Sequence, residues 1–443
     1  MLLIVNGLLL SLDDERPIIR DAGILIEDDK IIDLGKSEEL KTKYSNVDLM
    51  DVKGKLILPG MINTHMHLYS TFARGMDLKT AAPPSNFVEI LEKLWWRLDN
   101  TLNEEDIYYS ALYAIIEGIK NGTTTIFDHH ASYGVIDGSL DIIKRAVKLT
   151  GIRANLSFEI SDRHGPEKAR KSLRENERYL KDIKKEDQKF LSGLIALHAS
   201  FTLSKETLEK ASLLAKELQS PFHLHLAEGR VDVEDSKKRG YDGIVDRLDK
   251  YNIWRKNTLA IHGVHLRRDE LKKLSEKGVI LVHNPESNMS NAVGAAPLME
   301  AIKENILLGL GTDGYTVDMF ESLKTANLLF KHEQTDPRAG DADIFNFLYS
   351  NNREIANRFF APELGIIKKG AAADIIIVDY KAPTPIRAEN IFYHLFFGLE
   401  GSMVDTTIVG GQVLMKEREV KVLDYERIIN KIQRQAADFW KKF

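Results

Sequence analysis

The stretch Met61-Ile-Asn-Thr-His65-Met-His67 decides how the rest of the chain is read. A β-rich run closed by two histidines two residues apart places both imidazoles on one face of a strand. In a closed barrel of parallel strands, functional side chains project from the C-terminal strand ends. A histidine pair at such an end therefore asks for further polar residues at the ends of later strands, and three follow. His225 closes the run 221–226. His262 closes 258–264, where Thr258, Ala260 and His262 share parity. Asp313 closes 306–313 after Gly309 and Gly311 on the same face.

Working outward, further β-rich runs lie at 123–130, 152–160, 194–198 and 279–283, with helical periodicity between runs at 140–149, 205–218 and 269–277. Eight strand-then-helix units predict a closed parallel (β/α)8 barrel of the TIM type. The segment 68–105 breaks the spacing and carries Pro83-Pro84 and an apolar patch of Phe87, Ile90, Leu91, Leu94, Trp95 and Trp96. An insertion after the first strand falls at the mouth of the barrel, so it is a candidate lid.

Both ends of the chain are β-rich, at 3–10, 22–27, 30–34 and 55–58, and again at 371–379 and 405–414, with Gly410-Gly411 as a tight turn. They predict one small β-sandwich domain assembled from residues 1–59 and 366–443, flanking a barrel over 60–365. The last segment, with Ile428, Ile432, Ala436, Phe439 and Phe443 on one face, reads as an amphipathic helix packed on its own domain.

Composition narrows the chemistry. The 443 residues carry 61 basic and 66 acidic side chains, closely interspersed for a net charge of −5, which argues against nucleic acid as a partner. Cysteine is absent, which removes disulfides, a thiol nucleophile and every thiolate metal site, including that of the His/Cys/Cys deaminases. The start, Met-Leu-Leu-Ile-Val-Asn-Gly, runs into Ser11, Asp13, Asp14 and Glu15 without a basic leader, so it reads as a strand rather than a signal peptide. No apolar run is long enough to span a membrane, and the expectation is a cytoplasmic protein acting on a small molecule.

A metal here must be held by imidazole and carboxylate. Three histidines and one aspartate suit one divalent ion per chain, Zn²⁺ first and Fe²⁺ second. Such an ion lowers the pKa of a bound water from ~15.7 to about 7. Each piece has a plain alternative: a His-x-His pair can be structural, Asp313-Gly314 can be a turn, and a lone strand histidine can be a satisfied core residue. Four strand ends in order favour the metal.

The motifs Pro59-Gly-Met-Ile-Asn-Thr-His65-Met-His67, His225-Leu-Ala-Glu228, Ala260-Ile-His262-Gly-Val-His265, His283-Asn-Pro-Glu-Ser-Asn288 and Gly311-Thr-Asp313-Gly314 together resemble the amidohydrolase superfamily. They are most similar to its aminohydrolase and chlorohydrolase branch of adenosine-type, guanine and triazine hydrolases. Within that branch, Asn86-Phe-Val-Glu-Ile-Leu-Glu-Lys-Leu-Trp-Trp-Arg97 and Asp128-His-His-Ala-Ser132 look like the SsnA-type aminohydrolases. The resemblance spans essentially the whole chain.

It implies that His65, His67, His225 and Asp313 bind one metal, with His262 close to the activated water as a borderline ligand. Glu228 would carry a proton to the ring nitrogen, and Asp313 would accept the water's proton and pass one to the leaving group. Members with two metals have a lysine ending strand four; here Leu194-Ile-Ala-Leu-His198 offers none, so one metal is expected. His198, His283 and His130, at the ends of strands four, seven and two, are candidate substrate contacts, with Arg74 and Trp95. His129 and His265 have the opposite parity and read as structural. A homodimer is common among such relatives. The activity implied is hydrolytic deamination of a purine-like or other N-heterocycle. The alternatives are opening of a cyclic amide or amidine ring, dechlorination at the same site, or a non-catalytic metal-containing binding protein.

Overall fold

The computed structural model describes residues 1–13, 17–80, 82–186 and 189–443; Asp14 and Glu15, read above as part of the polar run after the first strand, lie outside the described residues. Two sheets organise the chain. The first is built from β1 (Leu2–Leu10), β2 (Ile18–Glu27), β3 (Lys30–Lys36), β4 (Asp48–Asp51) and β5 (Leu56–Pro59) at one end of the sequence. The second, parallel sheet comprises β6 (Met61–Met66), β7 (Thr123–His130), β8 (Arg153–Ile160), the short β9 (Leu191–Gly193), β10 (Ile195–Ala199), β11 (Phe222–Leu226), β12 (Leu259–His262), β13 (Ile280–His283) and β14 (Leu307–Leu310). The strands β15 (Ile375–Val378), β16 (Val404–Val409), β17 (Gln412–Lys416) and β18 (Glu419–Val420) then return to the first sheet. There β15 lies antiparallel to β5, pairing Ile376 with Leu58, so one mixed sheet is made from both chain ends.

Eight of the parallel strands run in the order β6-β7-β8-β10-β11-β12-β13-β14 and curl into the predicted barrel. The ring closes between β14 and β6 through backbone rather than a full ladder. The amides of Thr312 and Asp313 donate to the His65 carbonyl at 3.0 and 3.1 Å, and Met66 bridges Asp313. Gly311 makes this possible, because a Cβ there would stand 2.8 Å from that same carbonyl. The eighth strand is consequently shorter than the expected 306–313. Asp313 lies on a turn at φ +57°, placed by ring closure and not by strand alternation.

At the opposite end of the barrel the two sheets are joined by a buried ion pair. Arg153 Nε stands 2.7 Å and Nη2 3.1 Å from the two oxygens of Asp374, which also takes the Gly410 amide at 2.7 Å. The last helix, Tyr425–Lys442, packs not, as expected, on its own two-ended sheet but on helix Glu104–Lys120 of the barrel beside the mouth, with Trp440 Nε1 donating to the Phe72 carbonyl at 2.8 Å. No helix among the described residues is long and apolar enough to cross a membrane.

Candidate metal centre and active site

The strand register says which histidines face the barrel interior. His225 on β11 is paired with Ile261, which is paired with Val282, and side chains of directly paired residues share a face. On the other side, Ala196 pairs with both His223 and Glu159, and Ser157 pairs with His129. His129, Glu159, His223 and His225 therefore point inward. His130 pairs with Phe158 on the outward face, where its ring packs 5.7 Å from Phe158 and its Nε2 meets Ser132 Oγ at 2.8 Å.

This reverses the sequence expectation for β7: His129 takes the inner position and His130 does not line the cavity. The β6–β7 ladder carries two register irregularities, which a count of residues along one strand does not reveal. His283 alternates with Val282 and likewise lies outside the cavity, buried with neither ring nitrogen hydrogen-bonded. His262 is paired with Leu226, so alternation alone would turn it outward with Ala260's neighbours; a backbone φ of +75° swings the ring back to the mouth. The parity shared by Thr258, Ala260 and His262 points outward, and His262 reaches the mouth only through its left-handed backbone.

His65, His67, His225 and Asp313 converge, each offering a ligand atom within 4.8 Å of the others. The outer nitrogen of each imidazole is occupied. His65 Nδ1 meets His223 Nε2 at 2.9 Å, His67 Nδ1 faces the His129 carbonyl, and His225 Nδ1 faces the His198 carbonyl at 3.1 Å. The carbonyls make Nδ1 the donor in His67 and His225, and the three contacts together aim every Nε2 at a common point. His67 Nε2 is 3.3 Å from His225 Nε2 and 2.9 Å from Asp313 Oδ1, and His65 Nε2 is 3.5 Å from the same oxygen. Ligands at ~2.0–2.1 Å around a tetrahedral zinc ion stand roughly 3.3 Å apart.

Electrostatics fits the same reading. Burial takes His65 down to about 3 and holds His225 well below the usual histidine range, leaving neutral rings with available lone pairs. Burial pulls His67 down too, but the hydrogen bond and charge of Asp313 outweigh it and raise the ring to about 9. A carboxylate buried among imidazoles requires a positive charge beside it. His65 Nε2 is buried and without a hydrogen-bond partner. The donor set fits a divalent metal.

Around this centre stand two more predicted residues. Glu228 Oε2 is 3.4 Å from His262 Nε2, which is 3.7 Å from Asp313 Oδ2. His262 Nδ1 is tied to Asn288 Oδ1 at 2.8 Å, and Glu228 Oε1 accepts from Asn291 at 3.0 Å, which in turn accepts from Tyr315 at 2.9 Å. Burial raises the Glu228 carboxyl above its ordinary range. Left-handed backbone at His262 and Asp313 costs on the order of 1–3 kcal/mol each, tolerated where the surroundings over-determine the geometry.

The cavity over this centre is lined by His67, His198, His225, Glu228 and Asp313 on the barrel side. Phe87, Leu91, Trp95, Trp96 and Asp99 cover it from the helical run 87–101, which contains a π-type turn over Leu91–Trp95. The insertion is thus a cover, as its position in the sequence suggested. His198 lies in the cavity, held by Thr202 Oγ1 at 2.8 Å and kept neutral by burial. Arg74 stands in an adjoining hollow, 5.7 Å over the Tyr113 ring. Trp95 lines both spaces.

Sequence reasoning passed over His223, Asn288, Asn291, Tyr315 and the trio Asp99, Glu159 and Arg163. Only His223 had a signal, since His223-Leu-His225 repeats the spacing of His65 and His67.

Comparison with known proteins agrees. The chain matches the model of the Amidohydrolase family over residues 56–414. It is 33% identical to the 5'-deoxyadenosine deaminase of Methanosarcina mazei, over 99% of this chain and 98% of that one. It is 32% identical to the 5-methylthioadenosine/S-adenosylhomocysteine deaminase of Dictyoglomus turgidum, over 98% of each. Its fold superposes on the crystal structure of an adenosine deaminase from Xanthomonas campestris with bound zinc, with a TM-score of 0.88 at 22% identity, covering 100% and 99% of the two chains. The barrel, the two-ended sheet and the motifs that meet at the barrel mouth are those of the amidohydrolase family, and this chain belongs to it.

Proposed function

We propose that the protein is a hydrolytic deaminase of a neutral, purine-like N-heterocycle, working with one divalent cation, Zn²⁺ in the first instance, held by His65, His67, His225 and Asp313. The observation that carries this reading is the pair of carboxylates, Glu228 and Asp313, standing 3.4 and 3.7 Å from one imidazole nitrogen of His262 at the cavity wall. Hydrolytic deamination needs a proton delivered to the ring nitrogen and another to the departing amine, and two carboxylates facing one point serve both. The cation supplies Lewis acidity and lowers the pKa of a water molecule to about 7.

Glu228, its carboxyl raised by burial, holds the proton that passes to the ring nitrogen. Asp313 takes one proton of the water and hands it to the amine, and the proton left on the added oxygen returns to Glu228 as the carbonyl forms and ammonia leaves. His262, locked by Asn288, orients the water. His198 is a neutral hydrogen-bonding group for the heterocycle, and Trp95 closes the space above it. His283, His130 and Arg74, outside the cavity, hold neighbouring structure and do not touch the substrate. The deaminase names of the relatives support the same class of substrate.

The test is ammonia release by the zinc-loaded protein across adenosine-type nucleosides, aminopurines and aminopteridines, with a chlorotriazine included to register chloride release. Turnover of at least one amine is expected, falling roughly 10²–10⁴-fold in Glu228→Gln. Silence across the panel with full metal occupancy overturns the reading.

A further inference from the structure

The cavity wall carries a buried polar group that the chemistry above does not use. Arg163, just past the end of β8, donates through Nη1 to Glu159 and through Nη2 to Asp99. The three side chains are only 5%, 3% and 1% exposed, and all three line the cavity. Glu159 comes from the inward face of β8, Asp99 from the covering helical run. The guanidinium sits 5.6 Å from the Trp96 ring and 4.4 Å from Tyr133, while Trp96 stands 6.2 Å from His198. Glu159 Oε2 stands 3.7 Å from His129 Nδ1, so the trio reaches from the Trp96 side of the cavity to the histidines under the metal centre.

An ion pair built only to hold the fold satisfies its members. This one does not. A guanidinium has five N–H donors, and two are engaged here. Nε of Arg163, Oδ1 of Asp99 and Nε1 of Trp96 are all buried with no hydrogen-bond partner. Buried polar atoms are rarely left so without a function or a ligand to explain them. Charge defines what could come. Asp99 and Glu159 flank the single guanidinium, so this wall has no surplus positive charge to offer an anion. A neutral group with an acceptor oxygen fits the unspent N–H donors.

We propose that Arg163, held flat by Asp99 and Glu159, is a substrate-contact residue that recognises a neutral oxygen acceptor on the part of the substrate away from the departing amine. This rests on the deaminase reading for its choice of ligands. The oxygen can belong to a sugar hydroxyl pair or to a carbonyl on the ring itself, and the two sources are separable.

The experiment is calorimetric binding to zinc-loaded Glu228→Gln protein, in which turnover is blocked. Two ligand pairs are compared: adenosine with 2',3'-dideoxyadenosine, and guanine with 2-aminopurine. Each pair keeps its amine and drops the oxygen. One pair is expected to show at least about a tenfold preference for the oxygen-bearing member, the size expected for a hydrogen bond to a charged group. Arg163→Met on the same background should erase that preference while changing the oxygen-free member by less than about threefold. Arg163→Lys keeps a cation between the two carboxylates and so guards against misfolding. It should lose the preference as well, because one ammonium is taken up by Asp99 and Glu159. A preference that survives both variants, an equal loss for both members of a pair, or no binding of any of the four ligands overturns the proposal. Binding with the expected preference, but no ammonia from the protein with Glu228 intact, supports Arg163 and sinks the deaminase reading alone.

Discussion

The two ends of the barrel hide buried charge in opposite ways. At the closed end, Arg153 and Asp374 meet through two hydrogen bonds, the second carboxylate oxygen also takes the Gly410 amide, and Phe190 stacks 4.4 Å from the guanidinium. At the open end, Asp313 pairs with His67 at 2.9 Å while the inward nitrogens of His65 and His262 have no hydrogen-bond partner, and His262 and Asp313 sit on left-handed backbone. Fully paired charge ties one sheet to the other; unpartnered imidazole nitrogens aimed at a carboxylate on a strained backbone are a place prepared for something else. The difference lies in how the partners are arranged, since the residues at both ends are buried.

The sharpest way to break that contrast is to remove a ligand from the open end. His225→Ala should drop bound metal, read by elemental analysis, and reduce turnover to background while leaving the far-ultraviolet circular dichroism spectrum unchanged. Full metal content in that variant would mean that the open end is architecture after all.

Arg153→Met tests the closed end. It strands a buried carboxylate and should destabilise the protein by about 3–5 kcal/mol in denaturant unfolding, with kcat of the folded fraction unchanged. A fall in kcat at unaltered metal content would show that the two ends are coupled.

Glu286 sharpens the rule, because it is unsatisfied but lies outside the cavity. Both its oxygens are buried without partners, and burial raises the group from 4.5 to about 7. A raised carboxyl contributes stability below its unfolded value that is lost as pH climbs through the folded one. Stability should therefore fall between about pH 4.5 and 7, by roughly 3 kcal/mol. Glu286→Gln should flatten that part of the curve of Tm against pH without changing turnover. If turnover falls instead, Glu286 belongs to the functional end.

The smallest effect concerns Asn288, which holds His262 by one hydrogen bond of 2.8 Å. Asn288→Ala should lower kcat by about tenfold, the order seen when an orienting partner is lost, with KM and metal content little altered. An unchanged kcat would mean that the φ of +75° positions His262 unaided.

Much of this was legible beforehand. His65, His67 and His225 are legible as polar residues closing β-rich runs, the role of these three with Asp313 as metal ligands is what the family resemblance implies, and Asp313 itself stands beyond β14 where the ring closes. The two-ended sheet was found because β-rich runs flank the barrel. The assignment of faces was less secure. His129 and His130 exchanged roles, His283 proved to lie behind the wall, and His262 reached the mouth by a route that Ala260 did not foretell.

From the sequence alone came the element order, the barrel, the absence of thiolate chemistry and the histidines that meet at the barrel mouth, because these depend on local periodicity and on residue types at strand ends. Only the tertiary structure decided which neighbour of each histidine looks inward. Alternation along one strand is relative, and the absolute face is set by inter-strand register, bulges and single left-handed residues. Only it, too, brought Asp99 to Arg163, 64 residues away, since nothing along the chain announces a contact made across a cavity.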